Sequence, residues 1–293
     1  MIPRKTENTS APPQSPRARA SLKSMLLRVR KKISARRGED LRRFLNTRFK
    51  TSQAIVGKIL FGSNLDVLAL INDTDKNTGH HYTLHYSRIF APYRKQAVKL
   101  LEIGIGGYAK GNYSDPRLGG GSLRMWRTYF PKGRIFGIDI EDKTPHNERR
   151  IKTFKGSQAD TEFLSEVLRE TGPLDIVIDD GSHVCDHVIA SFEFLFPRMS
   201  ESGLYVIEDT HTSYWPEYGG SSNNPDEEST TVGYFKRVIH GINHSELLER
   251  KGEPSYFERN ILGISFYHNM IVVEKGPNTE GGAEWRVKPS RPE

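Results

Sequence analysis

Leu174-Asp175-Ile176-Val177-Ile178-Asp179-Asp180-Gly181-Ser182-His183 reads as a short, buried strand that breaks into a polar turn at its C-terminal end. Gly203-Leu204-Tyr205-Val206-Ile207-Glu208-Asp209 repeats the pattern. Short apolar runs without polar alternation are what parallel strands covered on both faces require. In an open α/β sheet, ligands sit in the crevice beyond the C-terminal strand ends. Both runs therefore deliver carboxylates to one place, with His183 three residues after Asp180. Leu100-Leu101-Glu102-Ile103-Gly104-Ile105-Gly106-Gly107 adds a third strand ending in a glycine-rich turn that can hold a nucleotide-like cofactor. Together these features point to an enzyme, not a scaffold.

Outward from these strands the chain alternates as a doubly wound sheet does. Helical patterning at 54–72 is followed by the polar loop Asn72–Gly79 and a helix spaced by Tyr82, Tyr86, Ile89 and Phe90. Strands are predicted at 98–103, 134–140, 151–154, 175–178 and 204–207, with helices at 122–129, 161–170, 187–194 and 232–242. Ile261–Phe266 and Met270–Glu274 read as a closing antiparallel pair. The expected fold is α/β and Rossmann-like, a mostly parallel seven-stranded sheet behind a helical N-terminal extension. Its expected parts are a disordered leader at 1–20, a basic helical extension at 21–95, the catalytic domain at 96–276 and a flexible tail at 277–293.

The formal charge of +7 is unevenly spread. Residues 1–50 hold 15 Lys+Arg against three acids, leaving 28 Lys+Arg against 33 Asp+Glu in the rest of the chain. The body is mildly acidic, and the basic pI belongs to the leader. That excludes a nucleic-acid reading drawn from overall charge; the N/D-P-P-Y/F motif of amino-methylating enzymes is also absent. Leu22, Met25, Leu26, Val29 and Ile33 fall at helical spacing, with basic residues mostly on the other face. A helix over 21–36 can lie on an anionic membrane surface, or equally dock on the body or on another subunit. The single cysteine, Cys185, carries no mark of an oxidising compartment. No apolar run reaches membrane-spanning length, and the N-terminus lacks the apolar core of a secretory signal. A cytoplasmic protein, able to touch the inner face of a membrane, is the expectation.

Gly104-Ile105-Gly106-Gly107-Tyr108-Ala109 matches the G-x-G-x-x-A dinucleotide fingerprint, a weak signal alone. Glu102, two residues before Gly104, instead fits the E-x-G-x-G pattern of class I methyltransferases and favours S-adenosylmethionine. Asp139, ending Ile135-Phe136-Gly137-Ile138-Asp139, suits ribose hydroxyls under either cofactor. Gly156-Ser157-Gln158-Ala159-Asp160 falls where the adenine edge belongs. Asp180, Glu208 and Asp209 can fill three positions around Mg2+ and leave the others to a substrate diol, with His183 as the base. Glu208 and Asp209 are adjacent, and adjacent strand residues face opposite ways; both ligate only if the strand has ended. The plain alternative is turn chemistry at Asp179-Asp180-Gly181 with a helix cap at Ser182.

Leu101-Glu102-Ile103-Gly104, Asp179-Asp180-Gly181-Ser182-His183 and Tyr205-Val206-Ile207-Glu208-Asp209 resemble the metal-dependent sugar O-methyltransferases of the mycinamicin and demethylmacrocin type. The likeness also takes in Thr74-Asp75-Lys76, Ser122-Leu123-Arg124-Met125-Trp126, Thr212-Ser213-Tyr214-Trp215 and Tyr267-His268-Asn269. It implies S-adenosylmethionine and Mg2+, with Asp180, Glu208 and Asp209 as metal ligands and His183 as general base. Thr74, Glu102, Gly104, Gly106, Asp139, Ser157, Gln158 and Asp179 are the implied cofactor contacts. The implied acceptor is a deoxysugar on a glycolipid, polysaccharide or macrolide-type product, and the implied assembly a homo-oligomer. The macrolide enzymes carry a folded domain before the catalytic one, whereas the corresponding residues here read as a basic leader. Cephalosporin hydroxylases share much of this pattern. A hydroxylase or catechol-type enzyme, or a cofactor-binding module without catalysis, stays open. His211, Tyr214, Trp215 and Tyr218 are expected to offer aromatic faces to a sugar, or to pack a loop against the body.

Overall fold

The structure is a computed structural model, and it describes residues 61–77, 80–107, 118–247 and 252–282. These lie in the second of two units, Val56–Glu293. The leader at 1–20 and the basic helix at 21–36 lie outside the described residues, as does the tail from 283.

Seven strands form one sheet: β1 (Lys99–Ile103), β2 (Arg134–Asp139), β3 (Ile151–Lys155), β4 (Ile176–Asp179), β5 (Gly203–Glu208), β6 (Ile261–Tyr267) and β7 (Met270–Lys275). Their order is β3-β2-β1-β4-β5-β7-β6. The five strands β1–β5 pair in parallel, and β7 runs antiparallel to both β5 and β6. This is the class I methyltransferase sheet expected from the sequence. The order reverses between β1 and β4, which opens a crevice above those two strands. Ile103 pairs with both Ile138 and Asp179, and Asp179 pairs with Ile207. The residues that follow, Gly104, Asp139, Asp180 and Glu208, therefore stand at one level along the C-terminal edge of the sheet.

Side chains alternate across the sheet, and each face carries its own core. Leu100, Ile135, Ile176, Ile178, Leu204 and Val206 pack beneath α1 (Leu65–Asn72), α2 (Tyr82–Ile89) and α3 (Gly121–Tyr129). Leu101, Phe136, Ile138, Val177, Tyr205 and Ile207 pack beneath α4 (Thr161–Thr171), α5 (Cys185–Leu195) and α6 (Thr231–Ile242). A short α7 (Tyr256–Asn260) starts at a Ser255/Glu258 capping box and runs directly into β6. Phe192 on α5 meets Tyr205, Tyr234, Phe235 and Phe257 at ring distances of 4.8–6.1 Å. Truncating a buried aromatic of this kind to alanine costs about 3–5 kcal/mol.

Sequence spacing placed α1 and α2 in an extension ending at 95, yet Leu65, Leu68, Tyr82, Tyr86 and Phe90 are wholly or almost wholly buried in the first core. The reason is coverage. An apolar sheet face must be shielded from water, and α3 shares that task with α1 and α2. The tail begins ordered: Asn278 donates from its backbone to Arg259 O and from its side chain to Ile242 O and Glu258 O.

Candidate active site

The crevice starts at the glycine turn after β1. Gly104 has φ +83, and a Cβ there would overlap the Asp180 carbonyl oxygen, so the β1 and β4 turns approach as only glycine permits. Gly106 (φ +71) needs glycine for its backbone alone; no described atom lies within 4 Å of a Cβ there. Asp139 Oδ2 accepts from Ile105 N at 2.9 Å and Oδ1 from Glu141 N at 2.9 Å. The acid at the end of β2 thus braces the turn, and each carboxylate oxygen has capacity to accept a further hydrogen bond. Ile140 follows it and is 62% exposed although apolar.

Asp180, His183 and Asp209 each offer one ligand atom, and these atoms lie within 4.8 Å of one another. Asp180 leaves the end of β4. Strand β5 ends at Glu208, and Asp209 turns into the left-handed region (φ 52, ψ 38). Asp209 thereby joins Asp180 and His183, whereas Glu208, still in the strand, turns to Lys76 and Tyr86 and stands outside that trio. His183 also has positive φ, at 57. Two non-glycine residues in this region store backbone strain at one site. His183 Nε2 lies 3.6 Å from Asp209 Oδ2, and Tyr82 donates to Asp209 Oδ1 at 2.6 Å. His80 Nε2 stands 3.5 Å from that same Oδ1. Ser182 does not cap α5; Val184 holds that position, and Ser182 Oγ accepts from Val184 N.

Lys76 is the residue that sequence reasoning missed. It is 1% exposed, and its ammonium lies 2.8 Å from Glu208 Oε1, 2.9 Å from Asp180 Oδ2 and 3.2 Å from Glu102 Oε1. Burial opposes its charge, but Asp180, Glu208 and Glu102 outweigh that and hold its pKa well above the usual lysine value. Burial pushes all three carboxyls up, and Lys76 pulls each of them back. Tyr86 donates to Glu208 Oε1 at 2.5 Å, and Ser122 to Glu102 Oε2 at 2.7 Å. Thr74-Asp75-Lys76 carried part of the family resemblance, and a lysine in that matched string was the available signal.

Other expected contacts are engaged inside the protein. Gln158 Nε2 donates to both oxygens of Asp179 (3.1 and 3.0 Å), and Gln158 Oε1 accepts from Ser182 N at 2.8 Å. Asp179 also accepts from Ser191 Oγ at 2.8 Å, and burial raises its pKa to about 6. These two side chains brace the β4 turn from beneath. Ser157 Oγ accepts from Ala159 N, and Thr74 is buried just past the C-terminus of α1. At the mouth, Tyr214 and Trp215 are each 44% exposed, with His211 edge-on to Trp215 at 4.5 Å and the half-buried Tyr218 at 6.0 Å.

No family model matches the chain. It is 50% identical over 204 residues to mycinamicin VI 2''-O-methyltransferase of Micromonospora griseorubida, covering 69% of this chain and 50% of that protein. It is 44% identical over 222 residues to 8-demethyl-8-alpha-L-rhamnosyl tetracenomycin-C 2'-O-methyltransferase of Streptomyces olivaceus, covering 75% and 57%. The chain spans about half the length of the curated relatives it matches. Among solved structures, methyltransferase MycE of the mycinamycin biosynthetic pathway, in complex with Mg, SAH and mycinamycin VI, superposes with a TM-score of 0.71 at 48% identity. That match covers 78% of this chain and 57% of MycE. By fold the described body is a class I methyltransferase domain, and by sequence it is a homologue of the sugar O-methyltransferases of macrolide and tetracenomycin pathways.

Proposed function

We propose that the protein is an S-adenosylmethionine- and Mg2+-dependent O-methyltransferase acting on a sugar hydroxyl of a glycosylated natural product, with His183 as general base. The observation that carries this is the trio Asp180, His183 and Asp209, set beside a glycine turn that touches the Asp180 backbone. The donor set fits a hard divalent ion, since two of the three converging side chains are carboxylates and both keep exposed surface. Glu208 begins the same turn and is the third ligand in this reading; its Oε1 is shared with Lys76 and Tyr86. The turn suits an adenosyl group in this reading: Asp139, an acid at the end of β2 bonded to the Ile105 amide, would accept from ribose hydroxyls, and exposed Ile140 would offer an apolar face to the adenine ring.

When bound, the metal ion would supply Lewis acidity to a sugar diol and the cofactor an electrophilic methyl group. In this reading His183 takes the hydroxyl proton and leaves the sugar oxygen as the nucleophile toward the methyl group that the cofactor would supply. Asp209, 3.6 Å from His183 Nε2, stabilises the imidazolium that forms. Tyr82 and the β5 terminus fix Asp209 so that this geometry exists before substrate arrives. Trp215 and Tyr214 offer flat faces at the mouth for the sugar ring. A cytoplasmic homo-oligomer, with residues 21–36 able to touch an anionic membrane, belongs to the same reading; light scattering and vesicle sedimentation test those two parts.

The reaction is tested by incubating the purified chain with methyl-labelled S-adenosylmethionine and a panel of rhamnosylated macrolides, tetracenomycins and glycolipids, with Mg2+ or with EDTA. Label in one acceptor that vanishes with EDTA is the expected result. Transfer that EDTA leaves untouched would remove the metal from the reading.

A further inference from the structure

Lys76 presents an electrostatic problem that its neighbours solve. Three carboxylate oxygens, from the ends of β1, β4 and β5, converge within 3.2 Å of one nitrogen that water scarcely reaches. Buried carboxylates are tolerated only when paired. Here one ammonium serves Glu102, Asp180 and Glu208 together. Asp180 has a second allegiance, because it also joins His183 and Asp209 in the trio at the crevice mouth. One carboxylate thus faces both a buried cation and an open cation position, the arrangement by which acids join the two ions of a two-metal site.

We propose that Lys76 is the permanent member of a two-cation centre: its ammonium fills the position that a second divalent ion would take, so the centre accepts one exchangeable ion. The inference rests on the reading of Asp180 and Asp209 as ligands of that ion. The distances suit the assignment. Oxygens at 2.8–3.2 Å form an ammonium-sized cage, whereas Mg2+ needs oxygens at about 2.1 Å and Ca2+ at about 2.3–2.6 Å. The cage is also anchored: Tyr86 holds Glu208 and Ser122 holds Glu102, so it survives removal of the exchangeable ion. A lysine placed here cannot be chelated away. It leaves the open position, beside His183, as the place where a divalent ion and substrate oxygens meet.

The test is a count of Mn2+ by electron paramagnetic resonance and calorimetry on the full chain and on Lys76→Ala, which removes the charge and vacates the space that the ammonium fills. The wild-type chain is expected to bind one Mn2+ and Lys76→Ala two, with the thermal midpoint of the variant rising far more on adding Mn2+. One ion in both, two in the wild type, or none in the variant would overturn the proposal. So would a variant that stays unfolded even when refolded with Mn2+, because a divalent ion should replace the lost ammonium. A wild-type chain that binds no Mn2+ would sink the metal-site reading itself, a result distinct from all of these.

Discussion

Replacing Gly104 by alanine should damage the protein through one contact, and Gly106→Ala isolates it. Both residues have positive φ, +83 and +71. Each alanine therefore bears the left-handed penalty of about 1–2 kcal/mol, partly offset by about 0.4–1 kcal/mol from a stiffer unfolded chain. At Gly104 the new Cβ also meets backbone, overlapping the Asp180 carbonyl oxygen and lying 2.7 Å from its carbonyl carbon. No side chain can swing aside there, so overpacking adds about 1–3 kcal/mol. At Gly106 no described atom lies within 4 Å. Urea unfolding without ligands should thus show Gly104→Ala less stable than Gly106→Ala by about 1–3 kcal/mol. Because Asp180 must move to make room, Gly104→Ala should also weaken Mn2+ binding while Gly106→Ala leaves it near normal. Equal stability losses, or metal binding untouched by Gly104→Ala, would refute the close approach of the two turns.

His183→Ala should lower turnover by about 100-fold or more while S-adenosylmethionine and Mn2+ still bind; loss of Mn2+ would recast His183 as a ligand. Tyr86→Phe keeps the ring against Phe90 and Trp126 but removes the 2.5 Å bond to buried Glu208, and should cost about 1.5–3 kcal/mol in urea unfolding. Trp215→Ala should raise KM for the sugar acceptor about 2- to 10-fold with kcat little changed; a fall in kcat alone would argue against a sugar platform. Asp179 binds its proton more tightly folded, with a pKa of about 6, than unfolded. Its contribution to stability is full below about pH 4 and is lost as pH rises through about 6, some 3 kcal/mol in all. Asp179→Asn should lack that decline, and unfolding curves of both chains at pH 4, 5, 6 and 7 would reveal a difference or its absence.

The fold was legible because its signals are local. Buried parallel strands read as apolar runs, helices as 3.6-residue spacing, and each predicted strand begins and ends within about a residue of the observed one. The acids at strand ends were legible for the same reason: a strand that stops being apolar announces where its crevice is. Spacing also posed the question of Glu208 and Asp209 without answering it. In the structure the backbone turns left-handed at Asp209, which joins Asp180 and His183, while Glu208 goes to Lys76 and Tyr86. Gln158 and Asp179, implied as cofactor contacts by resemblance, brace the β4 turn, and α1 and α2, expected as part of a helical extension at 21–95, pack into the core on one face of the sheet.

What only tertiary structure decided is how the charges are paired. Lys76 meets Asp180 across 104 residues and Glu208 across 132, Tyr86 meets Glu208 across 122, and Tyr82 meets Asp209 across 127. Apolar periodicity says that a residue is buried, since burial depends on a side chain's own chemistry and that of its near neighbours. Which buried acid a distant lysine neutralises depends on the turn that carries it, a short 3-10 segment at Asp75–Asn77 between α1 and α2, being pressed onto the sheet. By itself the sequence determined the sheet, its crevice and the acids along the rim; packing α1 and α2 over β1, β4 and β5 decided that a lysine ammonium would stand among them.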